Sequence, residues 1–232
     1  MVYLRLLTFC ILTGRCRRNN HTDIMLTMSA DVEHCTTLAQ ENLCDKFYDD
    51  AINNFSEALK CAKKSDDTEA ICKCKLNYGA ALVALGRTSE GLKVLESVKP
   101  LEHNHQLTGD IWYNLSLAQE DLNNAEEAVK CVQQAIKHYS ECSDVVVLKA
   151  DSTCRLASLY TKLQEFEKAA EAYANAASLY GTANDVHEQA ACLLQQAQLL
   201  QRCDKTADAV AIGNECAKLC TERDAGVGKY SN

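Results

Sequence analysis

Small and apolar residues recur along this chain at helical steps, and the pattern itself repeats. In Glu165–Ala177, Phe166, Ala169, Tyr173 and Ala176 fall three, four and three residues apart, so they share one face of a helix. Counting from Ala169, the same slot is held by Ala51, Gly91, Ala128 and Ala209, at intervals of 40, 37, 41 and 40 residues. Four residues past each slot stand Phe55, Leu95, Val132, Tyr173 and Gly213, and seven past stand Ala58, Val98, Ala135, Ala176 and Cys216. Twelve before stand Ala39, Gly79, Ser116, Ala157 and Ala197, all small. Each unit is therefore two helices with small residues where the partner helix crosses. A missing side chain lets two backbones approach, and a neighbouring aromatic or leucine fills the remaining space.

The periodicity predicts helices over 30–45, 47–63, 66–85, 88–98, 104–122, 125–140, 144–163, 166–180, 184–203 and 206–221. Gly86-Arg87-Thr88 and Asn123-Asn124 mark turns within units, and Lys99-Pro100 closes the second unit because proline cannot continue a helix.

The unit resembles the tetratricopeptide repeat (TPR). The fourth copy carries the resemblance with Leu156, Ala157, Tyr160, Phe166, Ala169, Tyr173 and Ala176, and the third with Trp112, Leu115, Ser116, Ala128 and Ala135. The first supplies Leu38, Ala39, Tyr48, Ala51, Phe55 and Ala58, and the second Gly79, Leu82, Gly86, Gly91 and Pro100. The fifth, from about His187 to Cys220, is the weakest, with Gln196 and Gly213 at positions where leucine and an aromatic are expected. The usual unit is about 34 residues. Units near 40 are similar to the longer repeats of kinesin light chains and Pins-type polarity scaffolds. They are also similar to the attachment proteins that load a disassembly ATPase onto membrane-fusion complexes. The resemblance implies an all-α fold: an α-solenoid of about five TPR-like helical hairpins forming a right-handed superhelix over residues 30–221. Residues 1–29 are then an N-terminal extension and 222–232 a flexible tail.

Composition changes this picture little. Of 232 residues, 47% are hydrophobic, only 6% are aromatic, and there is one proline, which suits helices. Charge is more informative. The net charge is −8, while Arg5, Arg15, Arg17 and Arg18 against Asp23 give the first 24 residues +3, leaving −11 for the rest. An acidic body repels phosphate backbones, so no nucleic-acid partner is expected, and a basic peptide is the easier ligand. The 14 cysteines sit mostly inside helical patterns, where cysteine is a small buried hydrophobe, so reduced thiols and a cytoplasmic or nuclear setting are expected rather than secretion. The apolar run Leu6–Leu12 is too short to span a bilayer and lacks a small-x-small cleavage site. Membrane association is expected only through a partner.

Candidate chemistry is sparse. Cys72 and Cys74 are two apart in a helix and point away from each other, and no paired CxxC spacing exists, so no metal or cofactor is expected. Ala225–Ser231, AGVGKYS, imitates the end of a phosphate loop but lacks its first glycine and preceding strand. No constellation supports catalysis or a small-molecule substrate. In the family, one residue per unit on the concave face of the first helices contacts an extended peptide, just before the leucine-small pair. That position holds Thr37, Asn77, Asn114, Arg155 and Gln195. All are polar, and an amide can donate to and accept from a peptide backbone at once. Lys73 adds charge beside Asn77. A chaperone-type carboxylate clamp is rejected, because Leu76, Ala80 and Asp151 stand where it needs lysine, asparagine and lysine. The expected function is a non-enzymatic scaffold or adaptor that binds a partner peptide or helix in its groove. The alternative is a structural subunit or vesicle-fusion adaptor that uses ridges and solenoid ends.

Overall fold

The computed structural model describes residues 30–99, 101 and 103–227, and all regular structure among them is helical. The N-terminal extension, Pro100 and the last five residues lie outside the described residues. The chain divides into two compact units, Met1–Asn124 and Ala125–Asn232, each with its own core.

The first unit contains α1 (Ala30–Cys44), α2 (Tyr48–Ser65), α3 (Thr68–Ala84), α4 (Thr88–Glu96) and α5 (His105–Asp121). Each helix packs on the next, and α3 also meets α5. One apolar cluster gathers Val32, Ala58, Leu59, Ala62, Ala70 and Cys74, and a second joins Ala39, Phe55 and Ala81. The tightest seam lies between α3 and α4. A Cβ built on Gly91 would fall 2.7 Å from the Gly79 carbonyl oxygen and 2.9 Å from the Val83 nitrogen, so the two backbones are in contact there. Asp67 starts α3 by accepting from the Glu69 and Ala70 amides, and Asn104 starts α5 by accepting from Leu107.

The second unit contains α6 (Ala125–Ser140), α7 (Val146–Lys162), α8 (Phe166–Thr182), α9 (Val186–Arg202) and α10 (Thr206–Val227), again packed in sequence. Its main cluster is alanine-rich: Ala157, Ala169 and Ala176 are fully buried beside Tyr173, Tyr180, Cys192 and Leu199. The stripe of Phe166, Ala169, Tyr173 and Ala176 is thus the inner face of α8.

The repeat register is also visible in the backbone. Lys46, Gly86, Asn123, Gln164 and Asp204, each five residues before its slot, all have left-handed φ values of 65°, 81°, 61°, 61° and 57°. At each turn the next residue's amide reaches back to a carbonyl in the last turn of the preceding helix: Phe47 to Asn42, Arg87 to Leu82, Asn124 to Gln119, Glu165 to Tyr160, and Lys205 to Leu200, at 2.8–2.9 Å. This helix-ending motif turns the chain back on itself and satisfies carbonyls the helix leaves open. Only Gly86 is glycine, so the other four turns hold a side-chain-bearing residue in a conformation that costs it about 1 kcal/mol.

Helix ends match the sequence expectation within about two residues, except at the last. Helix α10 continues to Val227, six residues beyond the expected end, so the stretch expected to be a tail begins helically. The slot residues of the first four repeats are fully buried where alanine fills them, whereas Ala209, Gly213 and Cys216 of the fifth are only partly covered. No described side chain of α10 is fully buried, because only one of its sides meets another helix.

Two glycine substitutions should act in opposite directions. Gly91→Ala forces a methyl against backbone and should destabilise by about 1–3 kcal/mol, outweighing its gain in helix propensity. Gly213→Ala meets nothing within 4 Å and should stabilise by up to about 1 kcal/mol. Urea unfolding of both variants checks the pair.

Candidate partner-binding surface

The first helix of each repeat carries the residues expected to face a ligand. In the first unit, Thr37 on α1 is exposed, and Lys73 and Asn77 on α3 are half-buried. Lys73 is not a free cation: its ammonium sits 2.8 Å from Glu69 one turn earlier. Glu69 also accepts from the side-chain amide of Asn104, which caps α5, so this lysine is tied into the joint between α3 and α5. Asn114 departs from the expected solvated rung. It is 3% exposed, and its Nδ2 donates to the Asp110 carbonyl one turn earlier at 2.8 Å, which gives the buried amide a partner.

In the second unit, Arg155 on α7 is half-buried and Gln195 on α9 is exposed. On the same two helices Val147 and Leu194 keep 38% and 49% of their surface, and the Arg155 Nε is covered. Each of these first helices therefore carries an exposed apolar side chain as well as a polar one.

Beneath this surface lies a polar cluster that sequence reasoning did not assemble. The Tyr180 hydroxyl donates to Asp151 Oδ1, while Asp151 Oδ2 is buried and accepts no hydrogen bond. Burial is the main cause that lifts the Asp151 carboxyl to about 6, partly opposed by the Tyr180 bond and reinforced by Glu188 and Asp185 nearby. Burial likewise raises the Tyr180 hydroxyl far up and that of Tyr173 to about 12. Cys154 and Cys192 share a thiol–thiol hydrogen bond, which pulls the first thiol down and, together with burial, pushes the second up. Spacing could place Tyr180 on the inner face of α8, four residues past Ala176, and Asp151 one turn before Arg155. Their meeting depends on how α7 and α8 pack, which no linear pattern reports.

All twelve described cysteines are free thiols. Asn54 and Asn114, each followed two residues on by serine as in an N-glycosylation acceptor, lie within helices, and the burial of the second leaves no room for a glycan there. Among the described residues no helix is long and apolar enough to cross a membrane.

Residues 98–226 match the family model described as "Soluble NSF attachment protein, SNAP", which is more than half of the chain. The chain belongs to the soluble NSF attachment protein family. The match takes in all of the second unit's helices but the last residue of α10, and α5 of the first. Solved structures place this family member among helical-repeat proteins of low sequence identity. The crystal structure of BtubC (BKLC) from P. vanneervenii is similar with a TM-score of 0.73 and 15% identity, covering 100% of this chain and 93% of that one. A Podosopora anserina putative kinesin light chain with nearly identical TPR-like repeats gives 0.69 and 16%, over 84% and 99%. MamA gives 0.63 and 17%, over 88% and 98%. The fold is thus a TPR-like α-solenoid.

The raised Asp151 carboxyl has a signed consequence for stability. Its ordinary value of 3.8 applies to the unfolded chain, so the protonated form's stability is fully present below pH 3.8 and is lost as pH rises through about 6. Asp151→Asn keeps an acceptor for Tyr180 without the charge. It should leave stability nearly unchanged at pH 4 and raise it by about 2–3 kcal/mol at pH 7.5. Denaturant unfolding at the two pH values reads the difference.

Proposed function

We propose that the chain is a non-catalytic adaptor of the attachment type, holding a helical or extended partner segment along its first helices and bringing an NSF-type ATPase to it. The observation that carries this reading is the exposed mixed surface of α7 and α9. Gln195, Val147 and Leu194 stand exposed on first helices and Arg155 is half-buried with its Nε covered, while the small residues of the same repeats are spent on packing. Guanidinium and amide groups supply directional contacts to a partner backbone or carboxylate, and the aliphatic residues supply area. Family membership supports an NSF-type ATPase as one of the two partners. In this proposal the first unit offers contacts of its own through Thr37 and Asn77, Lys73 acts through its pairing with Glu69, and Asn114 supports α5 from beneath. The adaptor binds proteins, not nucleic acid, and works in the cytoplasm or nucleus.

A second reading rests on α10. Val210 is 58% exposed there, and a side chain at Gly213 would meet open space, so this helix offers a ridge for end-on contact.

The two readings separate by mutation. Arg155→Gln with Gln195→Ala should weaken binding of a membrane-fusion helical bundle by about tenfold, with helical content unchanged. Val210→Asp should leave that binding intact. The reverse pattern in a calorimetric titration favours α10, and unchanged affinity in both variants rejects the adaptor surface.

A further inference from the structure

The first unit holds a cavity of about 400 Å³ where α2, α3 and α4 meet. Its wall carries four lysines from three helices: Lys60 and Lys63 on α2, Lys75 on α3 and Lys93 on α4, with Tyr78 and Ser97 beside them. No carboxylate lines it. In a chain of net charge −8 this convergence of cations runs against the general field. Local pairing offsets it only in part, with Glu57 beside Lys60 and Glu90 one turn from Lys93. Lys60 meets Glu57 at 2.9 Å in an exposed pair on one helix, a contact of small value that an anion can replace. Lys75 Nζ donates to the Ser97 carbonyl at 2.8 Å, which fixes its ammonium at the cavity without cancelling its charge. Neither Lys63 nor Lys93 has an ion-pair partner among the described residues.

The geometry points to a binding site for a compact, multiply phosphorylated cyclitol, either free or as the head group of a lipid. Like charges drawn together from three helices repel, and a polyanion seated among them removes that repulsion while gaining a charge-assisted bond from each. Lysine suits this task better than arginine, because each ammonium is a compact charge on a flexible stem with three rotatable donors, able to follow phosphates pointing in different directions. A cavity of this size holds a ring rather than a peptide segment. A nucleotide fits less well. Tyr78 is half-buried and packs against the two clusters described above, so only part of its ring at the wall is open to a base. The site belongs to the first unit and does not depend on the adaptor reading.

The test uses the full chain, two probes and ATP as a comparison ligand. Inositol 1,4,5-trisphosphate is titrated calorimetrically at low and physiological salt. Phosphatidylcholine vesicles with and without a few per cent of phosphatidylinositol 4,5-bisphosphate are used in flotation. The native chain should bind the trisphosphate, more weakly as salt rises. Lys63→Gln with Lys93→Gln, both exposed side chains, should weaken binding by about tenfold or more, while Lys137→Gln on the second unit should not. Binding of both the trisphosphate and the bisphosphate vesicles assigns the site to a lipid head group, and binding of the trisphosphate alone assigns it to a free cyclitol phosphate. The proposal fails if the trisphosphate does not bind, if the double variant binds it equally well, if ATP binds as tightly, or if only vesicles bind.

Discussion

Two helices can share a seam this close only where side chains are given up. That steric constraint organises both units. At Gly79 and Gly91 the backbones touch, and at Ala39, Ala51, Ala157, Ala169 and Ala176 a methyl is all that separates neighbours. Because the seams are narrow, each hairpin has a defined crossing, and its first helix presents one chosen face outward. The left-handed turns at Lys46, Gly86, Asn123, Gln164 and Asp204 feed the chain into these seams at the same register each time. Contacts are therefore made between neighbours in sequence, so assembly requires few long loop closures.

Charge is distributed against its own average in both units. The first draws four ammonium groups around one cavity, and the second buries a carboxyl beneath its outward-facing helices. Neither arrangement improves packing. A buried acid whose second oxygen accepts nothing is a cost the alanine-rich core around it must offset, and costs of this kind collect where a surface has work to do.

Much of the fold could be read from the sequence, because small residues at fixed offsets leave a one-dimensional trace. Helix ends followed from the turn positions and the seams from the alanine register. The weaker fifth repeat was legible as Gln196 and Gly213, and it corresponds to a helix whose outer side meets no neighbour. Depth was harder to read. Asn114 sits at a polar ladder position, yet it is buried, because the amount of cover over a position depends on its neighbours and not on its own spacing. The lysine cavity left no linear trace at all. Its four cations belong to three helices, and along the chain each is an ordinary charge on a solvated face. Asp151 and Tyr180 were hidden for the same reason, 29 positions apart and joined only by packing.

The touching backbones of α3 and α4 also constrain how this chain can change over generations. A side chain at Gly79 runs into Leu95, and one at Gly91 runs into Gly79 and Val83. The two positions are therefore unequal: a side chain at Gly79 meets the movable end of Leu95, whereas one at Gly91 meets backbone, so this seam can yield from the first side and not from the second.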